Sequence, residues 1–253
     1  MDQKEIHKTA QTQLAIDLNC TVNDLNSKKD QFIFVEAKAN PGRRLFPIRE
    51  HHFEMLSMGN AVVVSAAPRI LQLVKPMLDG KGRDDAFCIP FVCGQSLYFL
   101  PDLKRLTEFV VPAGFACELV EQTEIPQLYK LEGFHNALGY DVNHPRPDVL
   151  AAIARDGGRI IGIAGASFDC AGMWQIGIDV LPEYRQNGLA AYLVNVLTRE
   201  TLNRGFVPYY GTSSSNILSQ RTAHRAGYYP AWICSCRGNF EGCLPQSEKQ
   251  KAH

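Results

Sequence analysis

The chain has 253 residues, enough for one large domain or two small ones and for a substantial core. Apolar residues make up 45% and charged residues 21%, and Lys plus Arg balances Asp plus Glu at 26 each. That balance lacks the basic excess of a nucleic-acid scaffold or a membrane-surface binder, so the expected ligand is a small soluble molecule. The first seventeen residues are charged and lack the apolar stretch of a secretion signal. The longest apolar runs, such as residues 61–67, fall far short of a membrane span. Eight scattered cysteines include no Cys-x-x-Cys pair, which suits reduced thiols and a cytoplasmic location. Cys234-x-Cys236 with Cys243 offers three thiols but no fourth ligand at a recognisable spacing, so no metal is expected there.

In chain order, residues 4–19 read as a helix, with Ile6, Ala10, Leu14 and Leu18 four apart on one face. A strand follows at 32–36, then a loop, Asn-Pro-Gly-Arg-Arg-Leu-Phe-Pro, that breaks regular structure. Residues 51–58 suggest a helical turn, and 61–65 a β-branched strand. Pro68 opens a helix over 69–78 that stops before Gly80. Residues 87–92 and 96–100 read as short strands. Residues 101–112 form the expected junction.

The second half has a sharper pattern. A strand is expected at 115–120, a helix at about 126–138, a dense loop at 140–147 and a second helix at 148–155. Asp156-Gly157-Gly158 is a hairpin turn into a strand over 159–168, and a second turn at 169–172 leads to a strand over 173–180. A helix over 190–204 carries Ala190, Leu193, Val194 and Leu197 on one face and closes at Gly205. A strand at 206–211, a helix at 216–226 and a strand at 228–236 complete the chain. The expected fold is α/β (α+β), divided into an N-terminal α/β region (1–112), a ligand-binding domain (113–245) and a disordered tail (246–253).

The most informative segment is the turn Arg185-Gln186-Asn187-Gly188-Leu189-Ala190, placed where a strand passes into a long helix. A helix start presents unpaired N–H groups and the positive end of a macrodipole, which suits a phosphate. Gly188 lets a ligand approach the backbone, and Ala190 keeps that approach open. This is a pyrophosphate cradle in the sequence.

Over residues 115–236 the order strand, phosphate turn, helix, strand, helix resembles the GNAT superfamily of acetyl-CoA-dependent N-acetyltransferases. The residues that carry the resemblance are Val180-Leu181-Pro182-Glu183-Tyr184-Arg185, the Arg-x-x-Gly-x-Ala turn, and Asn216, Ser219, Thr222 and Gly227-Tyr228. The family's last run reads Asn-x-x-Ala-x-x-Leu-Tyr-x-Lys-x-Gly-Phe. The resemblance implies a mixed, mostly antiparallel sheet flanked by helices and splayed open at the 173 and 206 strands, with acetyl-CoA in the split. It implies that main-chain groups near Ile178 and Val180 pair with the pantetheine arm. The amides of Gln186, Asn187, Gly188, Leu189 and Ala190 would hold the pyrophosphate, Arg185 would shape the turn, and Asn216 would reach the pantetheine. An amine on a small molecule or peptide would attack the thioester directly, its carbonyl polarised by an N–H of the 178–180 strand. No metal, nucleic acid or membrane enters, and the sequence admits a homodimer without fixing it.

The chain departs from the family where protons move. The family's frequent tyrosine acid aligns with Ala223; His224 is the next residue and the one catalytic candidate, although it lies about 100° further round the helix. Where some relatives carry a glutamate base this chain has Trp174; Trp174 and Gln175 read as residues that stiffen a strand, with a half-exposed Trp174 lining an acceptor pocket beside the cleft as the alternative. These departures leave open an alternative, an acetyl-CoA-binding regulatory or interaction module with lost or weak transfer. Tyr129, Phe134, His135 and Asn136 fall where the family's acceptor-side helix and loop lie. Gly42-Arg43-Arg44 with Arg49 reads as a solvated loop, with a grip on an acidic group of a substrate as the alternative, and His51-His52 as an ordinary pair rather than metal ligands.

Overall fold

The computed structural model describes residues 1–45, 48, 51–89 and 92–238. The first half contains α1 (Gln3–Leu18), α2 (Val22–Leu25), β1 (Phe32–Glu36), β2 (Phe53–Ser57), β3 (Val62–Ala66), α3 (Pro68–Leu78), α4 (Arg83–Phe87) and β4 (Val92–Pro101). The second contains β5 (Ala116–Glu121), β6 (Asp148–Asp156), β7 (Arg159–Cys170), β8 (Met173–Val180), α5 (Leu189–Asn203), β9 (Val207–Ser213), α6 (Ile217–Arg225) and β10 (Tyr228–Gly238). Short 3-10 turns stand at Ile125–Lys130 and Pro182–Tyr184. The chain divides into two compact units, one of residues 1–10 and 98–230, the other of residues 11–97 and 231 onward.

In the second of these units the strands run in the order β1-β3-β2-β10. β1 and β3 are parallel, while β2 is antiparallel to both β3 and β10. Pro68 occupies the first turn of α3, where its missing N–H costs nothing. The helix buries Ile70, Val74 and Leu78 against Phe53, Met55, Val62, Val64 and Ala66. Two sequence expectations fail here. Residues 53–57 form a strand, buried at every position, rather than a helical turn; with both faces covered, the alternation that marks a strand is erased. Of the strand expected at 87–92, Phe87 ends α4, whose Asp84 and Asp85 sit favourably at the positive end of the helix; Cys88 and Ile89 are in no strand, residues 90–91 lie outside the described residues, and β4 begins at Val92.

The unit of residues 1–10 and 98–230 holds strands in the order β4-β9-β8-β7-β6-β5. β5 to β8 form an antiparallel meander, and β8 then pairs parallel with β9. That parallel ladder runs from Met173↔Val207 to Ile176↔Tyr210 and stops, although β8 continues to Val180 and β9 to Ser213. The sheet is mixed, mostly antiparallel and splayed at the expected pair of strands. On one face α5 lays Leu189, Leu193, Val194 and Leu197 into the core. Gly162 makes room for it, since a Cβ there would stand 3.0 Å from Leu193. On the other face Ile125, Leu128, Phe134, Ala137 and Leu138 cover Val120, Ala151, Ile153 and Ile163.

Residues 148–155, expected as a helix, are strand β6. Alanines 151, 152 and 154 favour a helix on propensity, but a centrally placed strand with both faces covered needs small apolar residues throughout and shows no period. The helix expected at 126–138 shrinks to the 3-10 turn at Ile125–Lys130. Gly133, in the left-handed region at φ 92°, prevents the helix from continuing.

Candidate active site

The turn after β8 is held by its own side chains. Arg185 donates from Nε to the Val180 carbonyl at 2.9 Å, tying the turn to the strand end. Asn187 Oδ1 accepts the Leu189 N–H at 3.1 Å. Gln186 and Gly188 have φ of 68° and 86°, so the backbone curls with successive N–H groups turned to one side. Gly188 caps α5 without any side-chain cap bond, and a Cβ placed on it would meet nothing within 4 Å. Among the described residues the N–H groups of Gln186, Asn187, Gly188, Ala190 and Ala191 have no acceptor. An open, concave set of donors at the positive end of a fifteen-residue helix is the geometry a pyrophosphate requires.

Just before this turn, Ile178 and Val180 lie on the part of β8 that runs beyond the parallel ladder. Across the splay, Asn216 caps α6, its Oδ1 accepting the Ser219 N–H at 3.1 Å. Tyr210 on β9 fixes that helix through a hydroxyl contact with Ser219 Oγ at 2.7 Å, and burial pushes the Tyr210 phenol up. These features of the cradle, strand edge and cap are brought together in one unit. His224 stands in the last turn of α6, exposed, with Arg105 Nη2 donating to its Nε2 at 3.0 Å, and is not among the residues lining the cleft described next. Ala223 is fully buried.

Trp174 is not half-exposed: it is 6% exposed and stacks on Phe206 with ring centroids 4.3 Å apart. Successive strand residues face opposite sides of a sheet, so Trp174 turns away and Gln175 fronts the cleft, together with Ser167, its partner on β7. Opposite them the segment 135–139 lies flat on the sheet. The paired glycines Gly165 and Gly177 allow this approach: an added Cβ would stand 1.8 Å from the carbonyl oxygen of Ala137 or Asn136, respectively. Asp179 clamps the segment by accepting the Asn136 N–H at 2.7 Å, Asn136 Nδ2 at 2.7 Å and the Ala137 N–H at 3.1 Å.

The resulting pocket is lined by His135, His144, Arg146, Asp148, Ser167 and Gln175, with glycine backbone as its floor. Asp169, fully buried behind it, accepts from Ser167 Oγ at 2.8 Å, from Arg146 Nη1 at 3.4 Å and from the Tyr209 hydroxyl. Asp148 is 7% exposed, and its Oδ2 accepts the Gly139 N–H at 2.7 Å and the Tyr129 hydroxyl at 2.8 Å. Burial pushes the Asp148 carboxyl above its ordinary value, and burial with the Asp148 contact pushes the Tyr129 phenol up.

Sequence reasoning named His135 and Asn136 but missed Asp148, Asp179 and the glycine pair. The signal that marks them is two glycines in strands that pair directly, Gly165 with Gly177, which announces a close backbone crossing.

Residues 117–228 match the family model described as the Acetyltransferase (GNAT) family. The chain carries a GNAT acetyltransferase domain. Among solved structures, a GCN5-related N-acetyltransferase-like protein from Streptococcus suis is 17% identical, over 71% of this chain and 72% of that one, with a TM-score of 0.46. A GNAT-family acetyltransferase from Novosphingobium aromaticivorans is 21% identical over 59% and 68%, TM-score 0.41. An aminoglycoside N-acetyltransferase in complex with CoA is 23% identical over 48% and 93%, TM-score 0.37. No curated protein matches the chain significantly.

In this GNAT domain the cradle, the splay and the clamped pocket all fall in the unit of residues 1–10 and 98–230. Among the described residues no group of three or more His, Cys, Asp or Glu is placed to hold a metal, and no helix is long and apolar enough to cross a membrane. Cys243 and Arg49 lie outside the described residues. In the other unit His52 Nε2 stands 3.9 Å from Glu54 Oε2. Arg44 Nε pairs with Asp17 at 2.5 Å, both side chains buried, so this arginine serves the fold.

Proposed function

We propose that this chain transfers an acetyl group from acetyl-CoA to a primary amine of a small molecule or peptide. The observation that carries the proposal is the open set of unpaired N–H groups around Gly188, set beside a strand edge left free by the splay. Gln186, Asn187, Gly188, Leu189 and Ala190 would hold the pyrophosphate, with Arg185 keeping the turn in shape. The free edge at Ile178 and Val180 would pair with the pantetheine arm as an added strand does, and Asn216 would contact it from across the split. Acetyl-CoA supplies the activated acyl carbon. The chain supplies position, a donor N–H at the carbonyl and a clamped pocket for the amine.

The pocket opens on the same face of β8 as Gln175 and Gly177, so an amine seated there approaches the splay from the sheet side. No metal has a part in this scheme, and no nucleic acid or membrane is required. The cytoplasm, where acetyl-CoA and reduced thiols coexist, is the proposed location, and a homodimer is compatible with it. His224, the sequence-based candidate, would act only if the amine entered from the Arg105 side of α6.

A regulatory module with lost transfer is the second reading, favoured by one observation: Ala223 is buried and offers no proton donor where the family often has a tyrosine. The test is release of CoA thiol from acetyl-CoA with a panel of primary amines, products confirmed by mass spectrometry. Turnover of any amine well above hydrolysis supports the transferase. Tight acetyl-CoA binding with hydrolysis alone would support the module.

A further inference from the structure

Asp148 is the one carboxylate lining the pocket, and among the described residues no lysine or arginine pairs with it. Asp169, its neighbour, is answered by Arg146, Ser167 and Tyr209. Asp148 makes no ion pair with any lysine or arginine among the described residues. Both of its hydrogen bonds, from Gly139 and Tyr129, go to Oδ2, and Oδ1 has no donor among the described residues while the residue lines the pocket. Oδ1 is not among the buried side-chain atoms left without a partner, so it is open to the pocket and to whatever enters it, and a carboxylate oxygen so placed is a ready acceptor for a cationic N–H. The bonds to Oδ2 fix the side chain, so Oδ1 is aimed rather than mobile. Of the other lining side chains Asn136, His144, Ser167 and Gln175 are polar, and the one arginine, Arg146, is turned to Asp169.

We propose that Asp148 Oδ1 seats the primary ammonium of a small polar acceptor and takes the first proton from it. This inference rests on the acetyltransferase reading above. The ammonium gives one proton to Oδ1, and the freed nitrogen lone pair attacks the thioester carbonyl carbon. The carbon–sulfur bond breaks, and the sulfur takes the second N–H proton, leaving an amide and a thiol. The charged or titratable groups around Asp148 are Tyr129, Tyr140, His135, His144 and Arg146. A carboxyl raised by burial is a better proton acceptor at neutral pH than an exposed one.

Asp148→Asn tests it, because the amide keeps an oxygen for Gly139 and Tyr129 while removing the base. The full chain would be assayed with acetyl-CoA and three probe amines: ethanolamine, putrescine and glycinamide. The expected result is that kcat/KM for the probe that is turned over falls by about 10²–10⁴-fold and the acid limb of its pH profile flattens. The acetyl-CoA Kd and the urea midpoint should hold. Independently of turnover, the Gly139 amide NMR signal should move on adding ethanolamine to the native chain and stay still in the variant. Asp148→Asn within threefold of the native kcat/KM with the same pH profile would overturn the proposal. So would a silent Gly139 amide, or acetyl-CoA binding without turnover of any probe. Failure of the native chain to bind acetyl-CoA would instead strike the transferase reading, and this one with it.

Discussion

Replacing Gly177 by alanine should dismantle the clamped pocket from beneath. Gly177 does not need a positive φ, so alanine brings no backbone strain and the whole effect is steric. Its Cβ would stand 1.8 Å from the Asn136 carbonyl oxygen, and the segment must lift by more than 1 Å to restore a separation of 3.0 Å. The Asn136 N–H and Nδ2 bonds to Asp179, now 2.7 Å each, would then pass the limit of a hydrogen bond, and the Ala137 bond at 3.1 Å would go with them. Three such bonds at about 0.5–1.5 kcal/mol each, with overpacking at about 1–3 kcal/mol, give a loss of about 2.5–7.5 kcal/mol. For a chain of this size that corresponds to a fall in Tm of roughly 5–30 °C. Urea and thermal unfolding followed by tryptophan fluorescence measure it. The control is Gly158→Ala, which meets nothing within 4 Å and needs no positive φ; it should stay within about 0.5 kcal/mol of the native chain. A Gly177→Ala chain as stable as that control would refute the close crossing.

Asp179→Ala removes the same three hydrogen bonds without a clash. It should cost about 1.5–4.5 kcal/mol in urea unfolding and raise KM for the amine more than that for acetyl-CoA; an unaltered ratio of the two would count against the clamp. His52 offers a pH test in the other unit. Burial, with Arg43 second, pushes its pKa down from 6.5 to about 4, so the folded state holds the proton more weakly than the unfolded chain. Its stability is present above pH 6.5 and is lost as pH falls toward 4, by up to about 3 kcal/mol. His52→Gln should flatten the urea midpoint across that window, and an undiminished slope would contradict the assignment.

The sequence was most legible where one residue type meets one backbone need. Gly188 between a strand and an amphipathic helix marked the left-handed turn that opens α5, Pro68 the start of α3, and Met173–Val180 a strand with the bounds observed. It was least legible where both faces of a strand are covered. β2 and β6 carry no alternation, and the alanines of β6 point by propensity to the wrong element. The pocket was hidden for a different reason. Asp148, Asp179, Gly165 and Gly177 are far apart in sequence, and only the register of β7 with β8 and the path of segment 135–139 bring them together. Trp174 shows how one residue of offset matters in a strand: the neighbour, Gln175, faces the cleft.

The central claim is that the turn after β8 holds the pyrophosphate of acetyl-CoA. Calorimetric titration of acetyl-CoA into the native chain and into Gly188→Trp, with free CoA and NADH as controls, tests it most directly. The cradle predicts micromolar binding of acetyl-CoA and CoA, none of NADH, and loss of both on substitution while the variant stays folded. A folded native chain that binds no acetyl-CoA, or a Gly188→Trp chain that binds it equally well, would contradict the claim.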